Sequence, residues 1–439
     1  MTAHDDQKLG IWMTSALVVG TMIGAGIFML PVNLAPLGIN TLIGWVVSIL
    51  GALAMAFSLA TLGRTGAGGI RIYIERAFGP TAAFLVTWAF WWSNVAAQAA
   101  LAIGTASAAS RLLPALGDTS GIVAVGIGSV VLLTLVNLRG VRTSGALSLL
   151  TVVIKLVPLL AIVVILVIRK GSGVPFEPLA HTPVNVPNIA SATALTLFAL
   201  TGFENAVAPV DKVRDPARTI PRAILGGTAF VGFIYLISSS GVMLLLPANR
   251  IAASAAPYAD VIGSQWNEQL ALLAAVAIAV SAFGALNCLI FGTGDLAYAM
   301  GLRGDLPPVI ASTGRDNIPY VAHLVGGAMT IFLILANSTK ATASLFAFAI
   351  LLSTAAVLVV YALAALAAWK ENQSPGSRAF YAIALLFIVF AFYGAGIEAD
   401  LWCLVLLAAG VGVRILVRAF SSTARSIQAA EAIAAAPLE

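Results

Sequence analysis

The sequence predicts an all-α integral membrane protein of twelve transmembrane helices: a five-plus-five inverted repeat with broken helices 1 and 6, followed by two C-terminal helices. Three observations predict it. First, 60% of the 439 residues are hydrophobic and 9% charged, with mean hydropathy +1.01, whereas a soluble domain is about 25% charged. Second, runs of apolar residues long enough to cross about 30 Å of hydrocarbon lie near 11–35, 38–62, 80–110, 121–138, 146–168, 189–210, 222–246, 269–300, 318–336, 341–369, 379–397 and 401–418. Third, the first and sixth runs carry glycines at mid-span. Matched interruptions in two halves point to an inverted repeat with a site at the midplane, and an odd number of spans per half inserts the halves with opposite orientation. The chain therefore divides into a terminus at 1–10, repeats at 11–168 and 189–369, helices 11 and 12 at 379–418, and a tail at 419–439.

The first run contains Val19-Gly20-Thr21-Met22-Ile23-Gly24-Ala25-Gly26-Ile27-Phe28-Met29-Leu30-Pro31. Each glycine weakens a helix interior by about 0.5–1 kcal/mol relative to alanine, so three in seven residues predict a break. Bare backbone inside a membrane is tolerated only where it is buried in protein or lines a cavity. The break would aim the N–H groups of Ala25, Gly26 and Ile27 and the carbonyls of Met22 and Ile23 into a central pocket, which suits a zwitterion: carboxylate on the amides, ammonium on the carbonyls. The bland alternative is close packing of two helices through small residues.

The connector at 66–80 starts with glycines and ends in a short basic amphipathic piece suited to the membrane surface. Span 3 opens with Trp88, Trp91 and Trp92, of which Trp88 reads as an interfacial-belt residue, and continues with Ser93, Asn94 and Gln98. Asn94 and Gln98, four apart, share a face; such amides either bridge helices or face a substrate. Lys155 lies inside span 5, where insertion costs about 2.5–3.5 kcal/mol, so a functional role competes with snorkelling to the interface. Span 6 reads Leu197-Phe198-Ala199-Leu200-Thr201-Gly202-Phe203-Glu204-Asn205. Its glycine lies beside an ionisable carboxyl, which makes Glu204 a candidate proton carrier or pH sensor, a structural pairing being the alternative. The basic stretch Asp211 to Arg222 reads as a connector without chemistry. Asp295 reads as a helix-end or gate residue.

Charge placement sets the orientation. Of the 23 Lys and Arg, Arg111, Arg169, Lys170, Arg250 and Lys340 fall in one set of loops, Lys155 falls within a helix, and the others fall on the opposite side. That bias predicts both termini in the cytoplasm. It also argues against a nucleic-acid partner for the net charge of +5. Cys288 and Cys403, the only cysteines, lie inside apolar runs and exclude a disulfide framework. His4, His181 and His323 lie in or beside loops, and no nucleophile motif or phosphate loop is present, so neither an enzyme nor an ATP-driven pump is expected. No cofactor and no metal are expected.

Gly20-Thr21-Met22-Ile23-Gly24-Ala25-Gly26-Ile27-Phe28, Gly202-Phe203-Glu204, Asp215-Pro216-Ala217-Arg218-Thr219-Ile220-Pro221-Arg222 and Gly304-Asp305-Leu306-Pro307-Pro308 together resemble the amino acid/polyamine/organocation transporters, and most of all the bacterial arginine/agmatine antiporters. The resemblance implies a substrate carboxylate on Ala25 and Gly26, an ammonium on the carbonyls of Met22, Phe198 and Thr201, a gating ring at Phe198 and a pH-responsive carboxyl at Glu204. It places Gln98 where those antiporters have an asparagine, Ala25 where they have a serine, and Phe198 and Leu289 where they have tryptophans. Losing the tryptophans weakens a cation–π grip on guanidinium and opens the way to a neutral amino acid. Lys155 matches a lysine that stands in for a coupling sodium in some relatives.

The expected substrate set is therefore Met22, Ile23, Ala25, Gly26, Ser93, Asn94, Gln98, Phe198 and Thr201, with gates at Phe198 and Leu289 and proton coupling at Glu204 and Lys155. The expected activity is secondary active transport of amino acids or their amines by alternating access in a bacterial inner membrane, as an antiporter. A proton-coupled permease for neutral amino acids is the alternative. The expected partners are a small amino acid or amine and the lipid bilayer, with a homodimer left open.

Overall fold

A computed structural model describes residues 10–24, 26–64, 69–139, 145–204, 213–314, 317–372 and 374–434, the side chains of 145–153 and 421–434 excepted. The described residues are helical almost throughout. In chain order the helices are α1 (Ile11–Met22), α2 (Gly26–Leu34), α3 (Ile39–Gly63), α4 (Gly69–Phe78), α5 (Pro80–Ser110), α6 (Thr119–Leu138), α7 (Gly145–Gly171), α8 (Val186–Leu200), α9 (Pro216–Leu245), α10 (Ala248–Ala252), α11 (Pro257–Gln265), α12 (Glu268–Leu302), α13 (Tyr320–Ala336), α14 (Thr342–Glu371), α15 (Pro375–Ala395) and α16 (Ile397–Ala434). Each of the twelve apolar runs contains helix; in the sixth the helix ends at Leu200. Among the described residues, seven helices are long and apolar enough to cross a membrane, and the bent pair α1 and α2, inclined at 48°, makes an eighth span. Helices α8 and α13 are shorter and apolar.

Helix starts outside the membrane are written in local chemistry. Asp118, Asn185 and Asn267 cap α6, α8 and α12 by accepting from the backbone N–H three residues on, at 2.9–3.1 Å, which satisfies donors that have no partner inside the helix. The start of α9 corrects the expectation of a plain connector through Arg222. Pro216 occupies its first turn after Asp215, where a missing N–H costs nothing and φ is preset, so the basic residues Arg218 and Arg222 ride on the helix itself. Two short helices, α10 and α11, occupy the connection between α9 and α12.

Packing assigns each span its neighbours. Helix α5 lies between α12 and α14, α3 packs on α8 and α9, and α1 leans chiefly on α9. Ser48 of α3 hydrogen-bonds Thr196 Oγ1 at 2.5 Å and donates to the Thr193 carbonyl of α8 at 3.0 Å, a polar tie between apolar helices. Trp88 does not sit in an interfacial belt. It is 7% exposed, stacks on Phe84 and Trp91, and donates from Nε1 to the Leu406 carbonyl at 2.7 Å. With a protein carbonyl to receive its N–H, an indole is as well satisfied between helices as at a wet interface.

Candidate substrate site

The break in the first span falls where the glycines lie. Helix α1 ends at Met22, the N–H of Ile23 reaches back to the Val19 carbonyl at 2.9 Å, the N–H of Gly24 bonds the Met22 carbonyl at 2.7 Å, and α2 begins at Gly26. Ala25 lies outside the described residues. The second interruption begins at the end of α8: Thr201 is extended, and Gly202 takes φ +116°, a conformation that side chains other than glycine's avoid. The remainder of that segment, from Asn205, lies outside the described residues.

The two interruptions touch. A Cβ on Gly202 would come 2.8 Å from the Thr21 carbonyl, and one on Gly26 would come 2.5 Å from Cε1 of Phe198. Thr21 Oγ1 donates to the Gly202 carbonyl at 3.0 Å. The Phe198 ring, 8% exposed, thus lies against the start of α2, and a side chain at 26 would strike its Cε1. Thr201 donates to the Phe198 carbonyl from both its N–H, at 3.3 Å, and its hydroxyl, at 2.7 Å. Tyr235 of α9 donates to the Met22 carbonyl at 3.2 Å. Of the carbonyls expected to receive an ammonium, those of Met22 and Phe198 therefore already hold protein donors. Among the described residues, no hydrogen bond reaches the Ile23 carbonyl.

The helix 3 residues divide. Ser93 donates to the Ser353 carbonyl at 2.9 Å, joining α5 to α14. Gln98, wholly buried, donates to Thr293 Oγ1 at 2.6 Å and to the Leu289 carbonyl at 3.2 Å, and accepts from Thr330 at 2.9 Å. Its amide joins α5, α12 and α13, so the backbone of Leu289 is held while its side chain remains half-buried. Asn94 is half-exposed, and among the described residues its side chain has no hydrogen-bond partner. It is the one of the three whose polar atoms are uncommitted.

The carboxylate of Glu204, 6% exposed, accepts on Oε2 from the Gly202 N–H at 2.8 Å and from the Tyr361 hydroxyl at 2.7 Å. Phe203 stacks on the Tyr361 ring, centroids 5.1 Å apart. The interruption after α8 is thereby tied to α14. Lys155, on α7, is 6% exposed and has no hydrogen-bond partner among the described residues. No group of three His, Cys, Asp or Glu among the described residues could hold a metal ion. Tyr235 and Tyr361 had no signal in their local sequence: each is one tyrosine in an apolar helix, and only tertiary contact aims its hydroxyl at an interruption.

A bundle of apolar helices in which two interrupted segments meet is the frame of a membrane transporter. A family model described as amino acid permease matches residues 9–410, and the chain belongs to that family, within the amino acid/polyamine/organocation superfamily; its members are transporters rather than enzymes. The chain is similar to the putrescine transporter PotE of Escherichia coli K12, 27% identical over 424 residues covering 92% of this chain and 94% of the relative. It is similar to the PotE of Haemophilus influenzae Rd, 28% identical over 408 residues covering 90% and 93%. An uncharacterized transporter of Mycobacterium tuberculosis H37Rv is 32% identical over 368 residues covering 82% and 79%.

Proposed function

We propose that the protein exchanges an amino acid for an amine across the bacterial inner membrane by alternating access, with both termini in the cytoplasm. The observation that carries this reading is the contact of the two interruptions at Gly26, Phe198 and Gly202, with no hydrogen bond reaching the Ile23 carbonyl among the described residues. A helix end with free carbonyls attracts a cation, and an ammonium is the group that amino acids and amines share. Similarity to putrescine transporters supports an amine as one of the two substrates. A carboxylate, carried only by the amino acid, would add the N-terminus of α2 at Ala25 and Gly26. Phe198 would close over the bound substrate and Leu289 would face it from α12, with Asn94 as the uncommitted amide. In this reading Met22, Thr201, Ser93 and Gln98 hold the frame in place.

Glu204 would couple the cycle to protons. As a carboxylate it accepts charge-assisted hydrogen bonds on Oε2 from both Gly202 and Tyr361; a proton taken up on Oε1 would remove the negative charge that strengthens both bonds, and the tie between the interruption and α14 would loosen. The second reading, a proton-coupled permease for neutral amino acids, is favoured by Phe198 and Leu289, which offer no cation–π partner of tryptophan's strength. Uptake of labelled amino acids and of putrescine into proteoliposomes separates the two. Exchange requires unlabelled substrate inside and proceeds without a proton gradient. Uptake into empty vesicles, driven by an imposed gradient and competed by neutral amino acids, would replace exchange with symport.

A further inference from the structure

One charge cluster takes no part in the site. At the membrane face that the charge bias assigns to the cytoplasm, α4, the start of α5, the loop after α12 and α16 converge on Asp305, which is 2% exposed. Its Oδ1 accepts from Arg414 Nε at 3.0 Å, its Oδ2 faces Arg71 at 3.3 Å, and Arg418 stands 3.8 Å from Oδ1. Arg414 is fully engaged: buried, it also donates to the Pro80 carbonyl at 2.9 Å and lies over the Phe84 ring. Arg71 reaches Glu75 at 3.8 Å and Thr87 at 3.4 Å.

Arg418 differs, because it is 54% exposed and its one carboxylate already has two nearer partners. Arg303 is exposed as well. It lies close enough to Arg71 that, after burial, its like charge is the next cause depressing the Arg71 pKa, with Asp305 and Glu75 opposing. Among the described residues, four guanidinium groups thus meet two carboxylates, which leaves two positive charges over. The surroundings are apolar and open: Leu302 is 64% exposed, Ile415 62% and Phe420 73%. Ile415 and Arg418, three apart on α16, share a helix face.

We propose that Arg303 and Arg418 bind the phosphate of an anionic phospholipid headgroup, with Leu302, Ile415 and Phe420 against its acyl chains. A guanidinium fork matches phosphate oxygens two at a time, and basic pockets between helices at a membrane face take acidic headgroups. The open apolar flank distinguishes a lipid from free phosphate, since only the lipid fills both parts. A zwitterionic headgroup brings its own cation and gains little from the surplus charge.

Native mass spectrometry of the full chain in detergent tests this, with phosphatidylglycerol, phosphatidylcholine or inorganic phosphate added in turn. Wild type is expected to retain a phosphatidylglycerol adduct in preference to phosphatidylcholine. Arg303→Gln with Arg418→Gln should cut that adduct at least five-fold, while Lys170→Gln with Arg250→Gln, on the opposite face, should leave it unchanged. Unaltered retention in the first pair, equal retention of phosphatidylcholine, or displacement of the lipid by inorganic phosphate would each overturn the assignment. Should the paired variant not fold, Arg418→Gln alone, at an exposed position, gives the same readout.

Discussion

Gly26 and Glu204 are the residues on which the proposed cycle turns. With the Phe198 ring against its backbone, Gly26 has no space for a side chain. Gly26→Val should abolish substrate binding by calorimetry, and Gly26→Ala combined with Phe198→Leu should recover part of it, because the second change removes the ring that the new methyl strikes. Normal affinity in Gly26→Val would move the site elsewhere. Glu204→Gln keeps the shape of the carboxyl and removes its titration, so transport in liposomes should lose most of its dependence on pH while the protein remains folded. Tyr361→Phe takes away one of the two donors to Glu204, a charged hydrogen bond of about 1.5–3 kcal/mol, and should shift the pH profile without flattening it. A pH profile in Glu204→Gln identical to wild type would remove Glu204 from the coupling.

Helix α11 closes the face opposite the lipid site. Tyr258 meets Phe28 of α2 edge-on, centroids 5.1 Å apart, and Ser107 of α5 donates to the Ala255 carbonyl at 2.8 Å. Arg111 then binds Asp260 and, from Nη2 to both carboxylate oxygens at 2.9 Å, Glu268, while Ser254 donates to Asp260. A narrow gap lined by Phe28, Met29, Gly104, Ala108, Ala255, Ala256 and Ile278 lies beneath. In the proposed cycle a substrate entering from this face would lift α11. Arg111→Ala removes the cation that pins it and leaves two carboxylates to repel. In a background lacking Cys288 and Cys403, a cysteine at Ala256 should then react several-fold faster with a membrane-impermeant thiol reagent. An unchanged rate would mean that apolar contact alone holds the lid.

Across the whole molecule, Lys155 lies where α7 packs on α12, a buried cation without a hydrogen-bond partner among the described residues. In the proposed cycle its ammonium, held between the two helices, would do electrostatically what a bound sodium ion does in a sodium-coupled transporter. Uptake should therefore run at the same rate with sodium or potassium outside, and Lys155→Ala should lose most of it. A rate that rises with sodium in the wild-type protein would overturn this role for Lys155.

Hydropathy by itself determined the helical spans, because a segment crossing hydrocarbon must be continuously apolar and must satisfy its own backbone. The glycines located both interruptions for a related reason: only a residue without a side chain tolerates φ near +116° at Gly202 or a ring against its backbone at Gly26. Polar partnerships were another matter. Nothing local to Gln98 says that Thr293 and Thr330 will take its amide, nothing near Met22 announces Tyr235, and nothing near Glu204 announces Tyr361. Trp88 has the composition of a belt residue and became a buried one when α16 presented a carbonyl to it. Hydrogen bonds between helices far apart in sequence depend on register and rotation, which are set only when the helices pack. Tertiary structure therefore decided which polar side chains hold the frame and which, like Asn94, have no partner among the described residues.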